Sequence, residues 1–254
     1  MRNFINYEQS LNILNSLNLK ANSKEKLFLM NAISRVLAED IVAKENSPAF
    51  ETSGMDGYAI KAVDQNSVNS IKIIDQNPAG SVVESAVTSG VCIKTFTGSL
   101  MPKGADTLIP IENVNVVDES IVVTKEVPSG FAVRSVGENY KENEVLIKKG
   151  AVIGFAEIGV LASLNITQIY VYSKPTVAIA STGSEILDLG EVQTNDAQIR
   201  SSNHLTIEAL AQKAGAQTIQ MGIVKDDIDS ITELFENGLE KADILVTTGG
   251  VSVG

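Results

Sequence analysis

Residues 175–254 alternate between short apolar segments and segments with helical spacing, and this alternation restricts the fold more than any other feature of the chain. The apolar segments at residues 176–180, 219–224 and 243–248 have the length of strands and are rich in Val and Ile. Apolar strands that alternate with helices are typical of a parallel sheet covered on both faces. The sequence therefore predicts an α/β domain of three αβα layers with a mostly parallel sheet.

The two segments between these strands each place apolar residues on one face of a helix. Asn203 is the predicted N-cap of the first helix, and Gly215 is its predicted C-terminal stop. The second helix begins after Asp226 and Asp227, and Asp227 is its predicted capping residue. The apolar positions are Ile207, Leu210, Ala211 and Ala214 in the first helix and Ile231, Leu234, Phe235 and Leu239 in the second. We expect both apolar faces to pack on the sheet.

Polar residues and glycines follow each predicted strand, at the edge where open α/β sheets bind ligands. They are Ser181-Thr182-Gly183-Ser184-Glu185, Lys225-Asp226-Asp227 and Thr247-Thr248-Gly249-Gly250-Val251-Ser252. The glycines allow close approach of the backbone, and Glu185 and Asp226 offer the oxygen ligands that Mg²⁺ prefers. Taken alone, a glycine pair after a strand or an Asp pair before a helix usually marks a turn or a cap. Three such ends on one edge indicate a ligand site.

The first 46 residues have a different pattern. Ile33, Val36 and Leu37 recur at helical spacing within residues 31–38 and predict one apolar helical face. Residues 1–46, together with residues 138–174, are therefore predicted to form a helical and linking domain.

The segment between these two parts, residues 47–137, consists of short β-prone runs separated by Gly, Pro and Asp. The clearest runs are residues 91–97, 106–111 and 121–124. A hairpin turn is expected at Asp118 and Glu119. The sequence thus predicts an inserted β-rich domain. The whole chain is expected to be an α/β multidomain protein.

The composition restricts the partners and the compartment. A formal net charge of −11 disfavours nucleic acid or an anionic membrane as a partner, and no apolar run has the length of a membrane span. An anionic substrate would need local binding by backbone amides, helix N-termini or a bridging cation. The single cysteine, Cys92, lies in an apolar run, which predicts a buried, unreactive thiol and a cytoplasmic location. The single histidine, His204, is expected to be solvated and without an acid–base role.

Segments along the whole chain resemble motifs of the molybdopterin molybdenumtransferase family, which is related to the C-terminal domain of gephyrin. Residues 181–185 (STGSE) and 248–254 (TGGVSVG) resemble the signatures of its molybdopterin-binding domain. Residues 47–60 (SPAFETSGMDGYAI) and 95–112 (TFTGSLMPKGADTLIPIE) resemble two further motifs of this family. The first of these two is absent from the small molybdopterin adenylyltransferases, which share the binding domain.

The resemblance implies the insertion of molybdenum from molybdate into adenylated molybdopterin, with release of AMP, in molybdenum cofactor biosynthesis. The residues implied to be catalytic are Asp56, Thr97, Glu185 and Asp226, of which Glu185 and Asp226 would also bind Mg²⁺. Those implied to contact the pterin and the nucleotide are Ser181, Thr182, Gly183, Asn203, Gly249, Gly250 and Ser252. The family architecture also implies a homodimer in which Asp56 and Thr97 of one subunit lie near the glycine loop of the other. The adenylyltransferase is expected as an upstream partner.

Some features depart from the family pattern. Asn139 stands where the family usually has Asp, so no carboxylate is expected there. The glycine loop at residues 249–254 is expected to lead into a helix. The chain is therefore predicted to end inside the catalytic domain and to be inactive by itself. A molybdopterin adenylyltransferase and a non-enzymatic scaffold of the gephyrin kind remain as alternatives.

Overall fold

The structure is a computed structural model that describes residues 5–249. The described residues form two compact units. One contains the residues up to Asp40 and from Lys148 onward, and the other is Ile41–Ile147. No helix among residues 5–249 is long and apolar enough to cross a membrane.

The helices and strands are numbered along the chain. The helices are α1 (Tyr7–Ser16), α2 (Asp64–Ser67), α3 (Phe155–Ser163), α4 (Asn203–Lys213) and α5 (Ile228–Lys241). The strands are β1 (Lys24–Phe28), β2 (Ile41–Val42), β3 (Thr52–Ser53), β4 (Gly57–Ile60), β5 (Ile71–Asn77), β6 (Val91–Thr95), β7 (Thr107–Pro110), β8 (Val114–Val117), β9 (Ser120–Val123), β10 (Val133–Arg134), β11 (Val145–Ile147), β12 (Gln168–Tyr172), β13 (Thr176–Thr182), β14 (Ile186–Leu187), β15 (Ile199–Arg200), β16 (Gln217–Val224) and β17 (Ile244–Thr248).

The unit Ile41–Ile147 is built around a six-stranded mixed sheet with the order β7-β4-β6-β5-β9-β8. Only β5 and β6 run parallel, and the other neighbours are antiparallel. The core cluster on this sheet consists of Tyr58, Ile60, Ile71, Cys92, Ile109 and Ile121. The predicted strands at residues 91–97, 106–111 and 121–124 are confirmed as β6, β7 and β9.

Two local predictions for this unit are also confirmed. Asp118 and Glu119 connect β8 to β9, and Asp118 takes a φ of +52° that a tight turn requires. Cys92 is fully buried on β6, and burial raises the pKa of its thiol to about 12. A thiol with so high a pKa stays protonated at neutral pH and is a poor nucleophile.

Gly57 allows β4 to lie close to its neighbour β7. A Cβ atom at this position would lie 2.2 Å from the carbonyl oxygen of Ile109. An Asp-Gly pair by itself suggests a turn. Here Gly57 is the first residue of the fully buried strand β4, and Asp56 lies just outside that strand. The close pairing holds Asp56 at the end of the strand.

The last part of the chain forms a three-stranded parallel sheet with the order β16-β13-β17. All three predicted strands are confirmed, with β13 running two residues further than expected. Helices α4 and α5 connect the strands and contact them. The residues of β13 are mostly buried, as expected for the central strand of a parallel sheet.

The helix predictions here are confirmed in part. Helix α4 ends at Lys213, and Gly215 follows with a φ of +93°, as predicted for a C-terminal stop. The predicted N-cap was wrong, because Ser202 occupies the cap position and Asn203 is the first helical residue. The predicted apolar faces were also wrong in part, because one of their residues in α4 and two in α5 are exposed, namely Leu210, Phe235 and Leu239.

The predicted helix over residues 31–38 is wrong. After a short 3₁₀ turn at Leu29–Ala32, Ser34 takes a φ of +62°, which no right-handed helix accommodates. Val36 and Leu37 then pair with the distant Val152 and Val171, and Leu37 is fully buried. Long-range strand pairing satisfies this backbone, so the apolar spacing reflects burial and not helix formation.

The same unit contains more strand than was expected for its first and linking segments. Within residues 5–46 only α1 is α-helical, and β1 pairs antiparallel with β12 from the predicted linking segment. Helix α3 is the one α-helix of residues 138–174. The boundaries of the three predicted domains remain a prediction.

We predict that Gly57→Ala destabilises the protein by about 3 kcal/mol or more, because the new methyl group would overlap the carbonyl oxygen of Ile109. Gly159→Ala is the control, since Gly159 lies exposed on α3 with nothing within 4 Å of a Cβ. That control should be neutral or stabilising by up to about 1 kcal/mol. Denaturant unfolding measures both. Equal stabilities for Gly57→Ala and the parent would show that β4 and β7 are not so closely paired.

Candidate ligand-binding site

Two predicted site residues, Asp56 and Thr97, are in direct contact. Asp56 immediately precedes β4, and Thr97 lies two residues beyond β6, its antiparallel neighbour. Thr97 donates two hydrogen bonds to Asp56 Oδ1, from its backbone N–H at 2.8 Å and from its hydroxyl at 2.7 Å. The pairing of two adjacent strand ends therefore holds one carboxylate and one hydroxyl together.

These hydrogen bonds determine the charge state of Asp56. The hydroxyl of Thr97, and then its backbone N–H, hold the pKa of the Asp56 carboxyl below its usual value. Both side chains are exposed, and Asp56 Oδ2 receives no hydrogen bond from residues 5–249. The pair thus presents an ionised carboxylate with one free oxygen that can accept a hydrogen bond or bind a cation.

A second group of predicted residues lies at the carboxyl end of the parallel sheet. Ser181 Oγ is 2.8 Å from Thr248 Oγ1, and Thr182 Oγ1 donates to the carbonyl oxygen of Thr248 at 3.3 Å. The backbone N–H of Gly183 donates to the carbonyl oxygen of Val224 at 3.1 Å. The ends of β13, β16 and β17 are therefore joined by hydrogen bonds, and the three polar segments start from one edge.

Two glycines at this edge occupy positions where a side chain would not fit. Gly249 has a φ of +110°, and its Cβ would lie 2.5 Å from both the carbonyl oxygen and the hydroxyl of Thr182. Gly183 has a φ of +147°, and its Cβ would lie 2.9 Å from a carboxylate oxygen of Glu185. Because they carry no Cβ, these glycines allow Thr182 and Glu185 to pack closely against the backbone at this edge. Gly250 and Ser252, which were also predicted to contact the ligand, lie outside the described residues.

The two aspartates before α5 have different roles. Asp227 is the N-cap and accepts a hydrogen bond from the backbone N–H of Ser230 at 2.9 Å, as predicted. This bond and that from the Ser230 hydroxyl lower the pKa of Asp227. Asp226 is exposed and forms no hydrogen bond through its side chain within residues 5–249. Of the pair, Asp226 is the carboxylate that is available to a ligand.

Glu185 and Asp226 follow the paired ends of β13 and β16. The last residues of these strands, Thr182 and Val224, are paired in register. Both carboxylates are exposed, and a surface pocket of about 320 Å³ lies beside them, lined by Gly183, Ser184, Ile186, Asp188, Glu191, Ile223 and Lys225. Within residues 5–249 no three His, Cys, Asp or Glu side chains cluster as a metal site.

The prediction of a solvated His204 is wrong, since this residue is only 3% exposed. Its Nδ1 lies 3.0 Å from Ser201 Oγ, and its Nε2 lies 3.3 Å from Asp188 Oδ1. The sequence places His204 one residue inside a helix start, but only the fold brings Asp188 and Ser201 to it. By contrast, Asn203, a predicted ligand contact, is exposed at the first position of α4.

Asn139 is held by neighbouring side chains. Its Oδ1 accepts a hydrogen bond from Arg134 Nη2 at 2.6 Å, and its Nδ2 donates to Ser47 Oγ at 3.1 Å. Arg134 also pairs with Glu138 at 3.1 Å. The amide thus serves as acceptor and donor at a place where a carboxylate could only accept.

Comparisons with known proteins identify the class of protein that carries these two sites. Residues 5–165 match the family model of the MoeA N-terminal region (domain I and II), and residues 178–254 match that of a probable molybdopterin binding domain. The chain therefore belongs to the MoeA family.

Named relatives agree with this assignment. The chain is 38% identical over 232 residues to a molybdopterin molybdenumtransferase of Staphylococcus aureus strain Mu50, covering 89% of this chain and 55% of the relative. It is 30% identical over 231 residues to the protein of the same name from Haemophilus influenzae, covering 91% of this chain and 57% of the relative. The chain thus spans a little over half the length of these relatives.

Solved structures of the same family have the same fold. A molybdopterin biosynthesis moeA protein from Pyrococcus horikoshii OT3 superimposes with a TM-score of 0.82 at 33% identity, covering 91% of this chain and 64% of that one. A second structure of the Pyrococcus protein gives a TM-score of 0.83 at 28% identity, covering 98% of this chain and 64% of that one.

We predict that Thr97→Val raises the pKa of Asp56 part of the way to its usual value, because the hydroxyl bond is lost while the backbone N–H bond remains. Since the folded-state pKa is lowered, the contribution of the pair to stability is present above the unfolded pKa and is lost as the pH falls through the folded pKa. The stability difference between parent and variant should therefore shrink at acid pH.

Carboxyl-carbon NMR titration measures this pKa directly. Ser85→Ala is the matched control, because Ser85 donates to Asp75 at 2.6 Å and lowers the pKa of that carboxyl in the same way. The control should raise the pKa of Asp75 and leave Asp56 unchanged. An unchanged pKa of Asp56 in Thr97→Val would contradict the assigned cause.

Proposed function

We propose that the protein acts as a cytoplasmic molybdopterin molybdenumtransferase, which inserts molybdenum from molybdate into adenylated molybdopterin and releases AMP. The observation that carries this proposal is the hydrogen-bonded edge at the ends of β13, β16 and β17, within the region that matches a probable molybdopterin binding domain. The match of residues 5–165 to the MoeA N-terminal region favours insertion over adenylation. A molybdopterin adenylyltransferase would then supply the substrate as an upstream partner.

We further propose that residues 175–249 form the middle and both outer layers of an αβα sandwich. Strands β16 and β17 lie on opposite sides of β13, so the chain moves in opposite directions along the sheet in its two crossovers. Parallel crossovers are almost always right-handed, and right-handed crossovers in opposite directions put their helices on opposite faces. Helices α4 and α5 would then cover one face each.

Glu185 and Asp226 are the proposed ligands of a divalent cation, and their chemistry suits Mg²⁺. Mg²⁺ commonly binds one or two protein carboxylates and completes its coordination with water and substrate phosphate oxygens. Both carboxylates are exposed, and Asp226 has no competing side-chain hydrogen bond from residues 5–249. When bound, the cation would offset the repulsion between two anionic substrates and a chain of net charge −11. The backbone at Gly183 and Gly249 would approach the phosphate and pterin groups.

Asp56 and Thr97 are proposed to complete this site from the second subunit of a homodimer. The pair has an ionised carboxylate with a free oxygen, and Thr97 holds it in place. A carboxylate fixed in this way can orient a substrate hydroxyl or amine without a conformational change on binding. Within its own unit, the Asp56 carboxylate accepts hydrogen bonds only from Thr97, so its second oxygen is available to a ligand.

We predict that Glu185→Gln and Asp226→Asn each lower the rate of molybdenum insertion at least about tenfold in the whole protein, because loss of a carboxylate weakens cation binding. Thermal stability should change little, since both side chains are exposed. The assay measures magnesium-dependent insertion with adenylated molybdopterin and molybdate. Glu240→Gln is the control, because Glu240 is an exposed residue near the end of α5. Parental rates in both site variants would remove these residues from the site.

A complementation experiment tests the shared site. Asp56→Ala and Glu185→Ala should each be inactive as homodimers of the whole protein. In a mixed dimer one of the two sites carries both substitutions and the other carries neither, so activity should return to about half of the parental value per dimer. Purified heterodimers carrying two different affinity tags provide the measurement. An inactive heterodimer would show that the two groups act within one subunit.

A further inference from the structure

A chain of polar side chains crosses the interior between two points on the ligand edge. Thr248 Oγ1 lies 2.8 Å from Ser181 Oγ, which lies 3.3 Å from Ser201 Oγ. Ser201 Oγ is 3.0 Å from His204 Nδ1, and His204 Nε2 is 3.3 Å from Asp188 Oδ1. Ser181 and His204 are nearly inaccessible to solvent, whereas Asp188 lines the surface pocket beside Gly183.

The carboxylate at one end favours one direction for the hydrogens along this series of side chains. Asp188 Oδ1 can only accept and lies 3.3 Å from Nε2, so its negative charge favours the neutral tautomer that carries its hydrogen on Nε2. Nδ1 is then an acceptor and takes the hydroxyl hydrogen of Ser201. Ser201 Oγ in turn accepts from Ser181. Ser181 Oγ then accepts from Thr248.

We propose that His204 is a positioning residue for the ligand edge, which fixes the orientation of the Thr248 hydroxyl through Ser201 and Ser181. With neutral His204, the hydrogen of Thr248 points into the protein, and its oxygen is left to accept. Thr248 therefore favours a ligand group that donates, such as a ring N–H, an amine or a sugar hydroxyl. The relevance of this selection to a pterin nucleotide rests on the function proposed above.

Protonation of His204 would reverse the direction of each hydrogen bond between the imidazole and Thr248. The incoming proton occupies Nδ1, so Ser201 must accept there and turn its own hydrogen toward Ser181. Ser181 then turns its hydrogen toward Thr248, and the hydroxyl hydrogen of Thr248 becomes free to donate outward. The same threonine would then favour an anionic oxygen. No covalent bond between heavy atoms changes, and one proton is taken up from solvent.

The charged groups around the imidazole are few. Asp188 faces Nε2, and Glu191 contacts the loop of Asp188 by accepting from the backbone N–H of Asp188 at 2.9 Å. On the side of β16, the facing residue is the neutral Gln220, whose Nε2 donates to the backbone carbonyl of His204 at 3.4 Å and to Glu208 at 2.8 Å. Ser181 and Thr248 supply only hydroxyls from the sheet. Asp188 is thus the one ionised group in contact with the ring within the described part of the chain.

The tautomer of His204 gives the first test. The chain has one histidine, so its ring ¹⁵N signals need no assignment. At alkaline pH, without ligand, the long-range ¹H–¹⁵N spectrum of the full chain should show the hydrogen on Nε2. A hydrogen on Nδ1 would overturn the proposal. Because no ligand is present, this outcome is separate from success or failure of the proposed molybdenum insertion.

The second test asks whether protonation of His204 changes the orientation of the Thr248 hydroxyl. In the parent protein, the ¹³C-methyl signal of Thr248, assigned from its loss in Thr248→Ser, should follow the imidazole signals as the pH falls. Ser201→Ala should abolish this response of Thr248 at every pH tested. Ser202→Ala is the matched control. The Ser202 hydroxyl neighbours Ser201 in sequence, but it makes no capping hydrogen bond to α4 and is not part of the hydrogen-bonded series from Thr248 to Asp188. This variant should leave the response intact. A Thr248 signal that ignores His204 in the parent, or still follows it in Ser201→Ala, would refute the relay.

Discussion

The parallel pairing of β13 with both β16 and β17 is the interaction on which the candidate site depends. Parallel strands end on the same edge, so polar segments that are far apart in sequence start from neighbouring points. Ser181 and Thr182 contact Thr248 across 66 to 67 residues of sequence. Ser181 and Thr248 thus place hydroxyl groups at the ends of buried strands, and these hydroxyls satisfy each other's hydrogen-bonding capacity.

In the β-rich unit, antiparallel strands likewise bring polar residues at their ends together. The end of β6 lies beside the start of β4, and this brings Thr97 to Asp56. Gly57 is necessary for the arrangement because β7 passes so close that a methyl group would meet its backbone. In both units, then, backbone pairing fixes the ends of strands, and short polar side chains at those ends form the candidate contacts.

The sequence predicted those features that depend on local patterns. Continuous apolar strands, the hairpin at Asp118 and Glu119, and the cap at Asp227 all follow from nearby residues, and all are present. The helix expected over residues 31–38 failed because its apolar spacing records burial against distant strands. The prediction that His204 is solvated was wrong for a related reason. Its burial depends on Ser201, Asp188 and the sheet, and no local pattern reveals that these residues meet.

We propose that the carboxyl edge of the parallel sheet binds the nucleotide part of the ligand. The most direct measurement is a titration with AMP followed by backbone amide chemical shifts. We expect the largest changes in residues 182–185, 225–227 and 248–249. The same unit has a second surface pocket of about 320 Å³ that includes the cationic residues Lys20, Arg35 and Lys174. Changes centred on that pocket, with the sheet edge unaffected, would contradict nucleotide binding at the sheet edge.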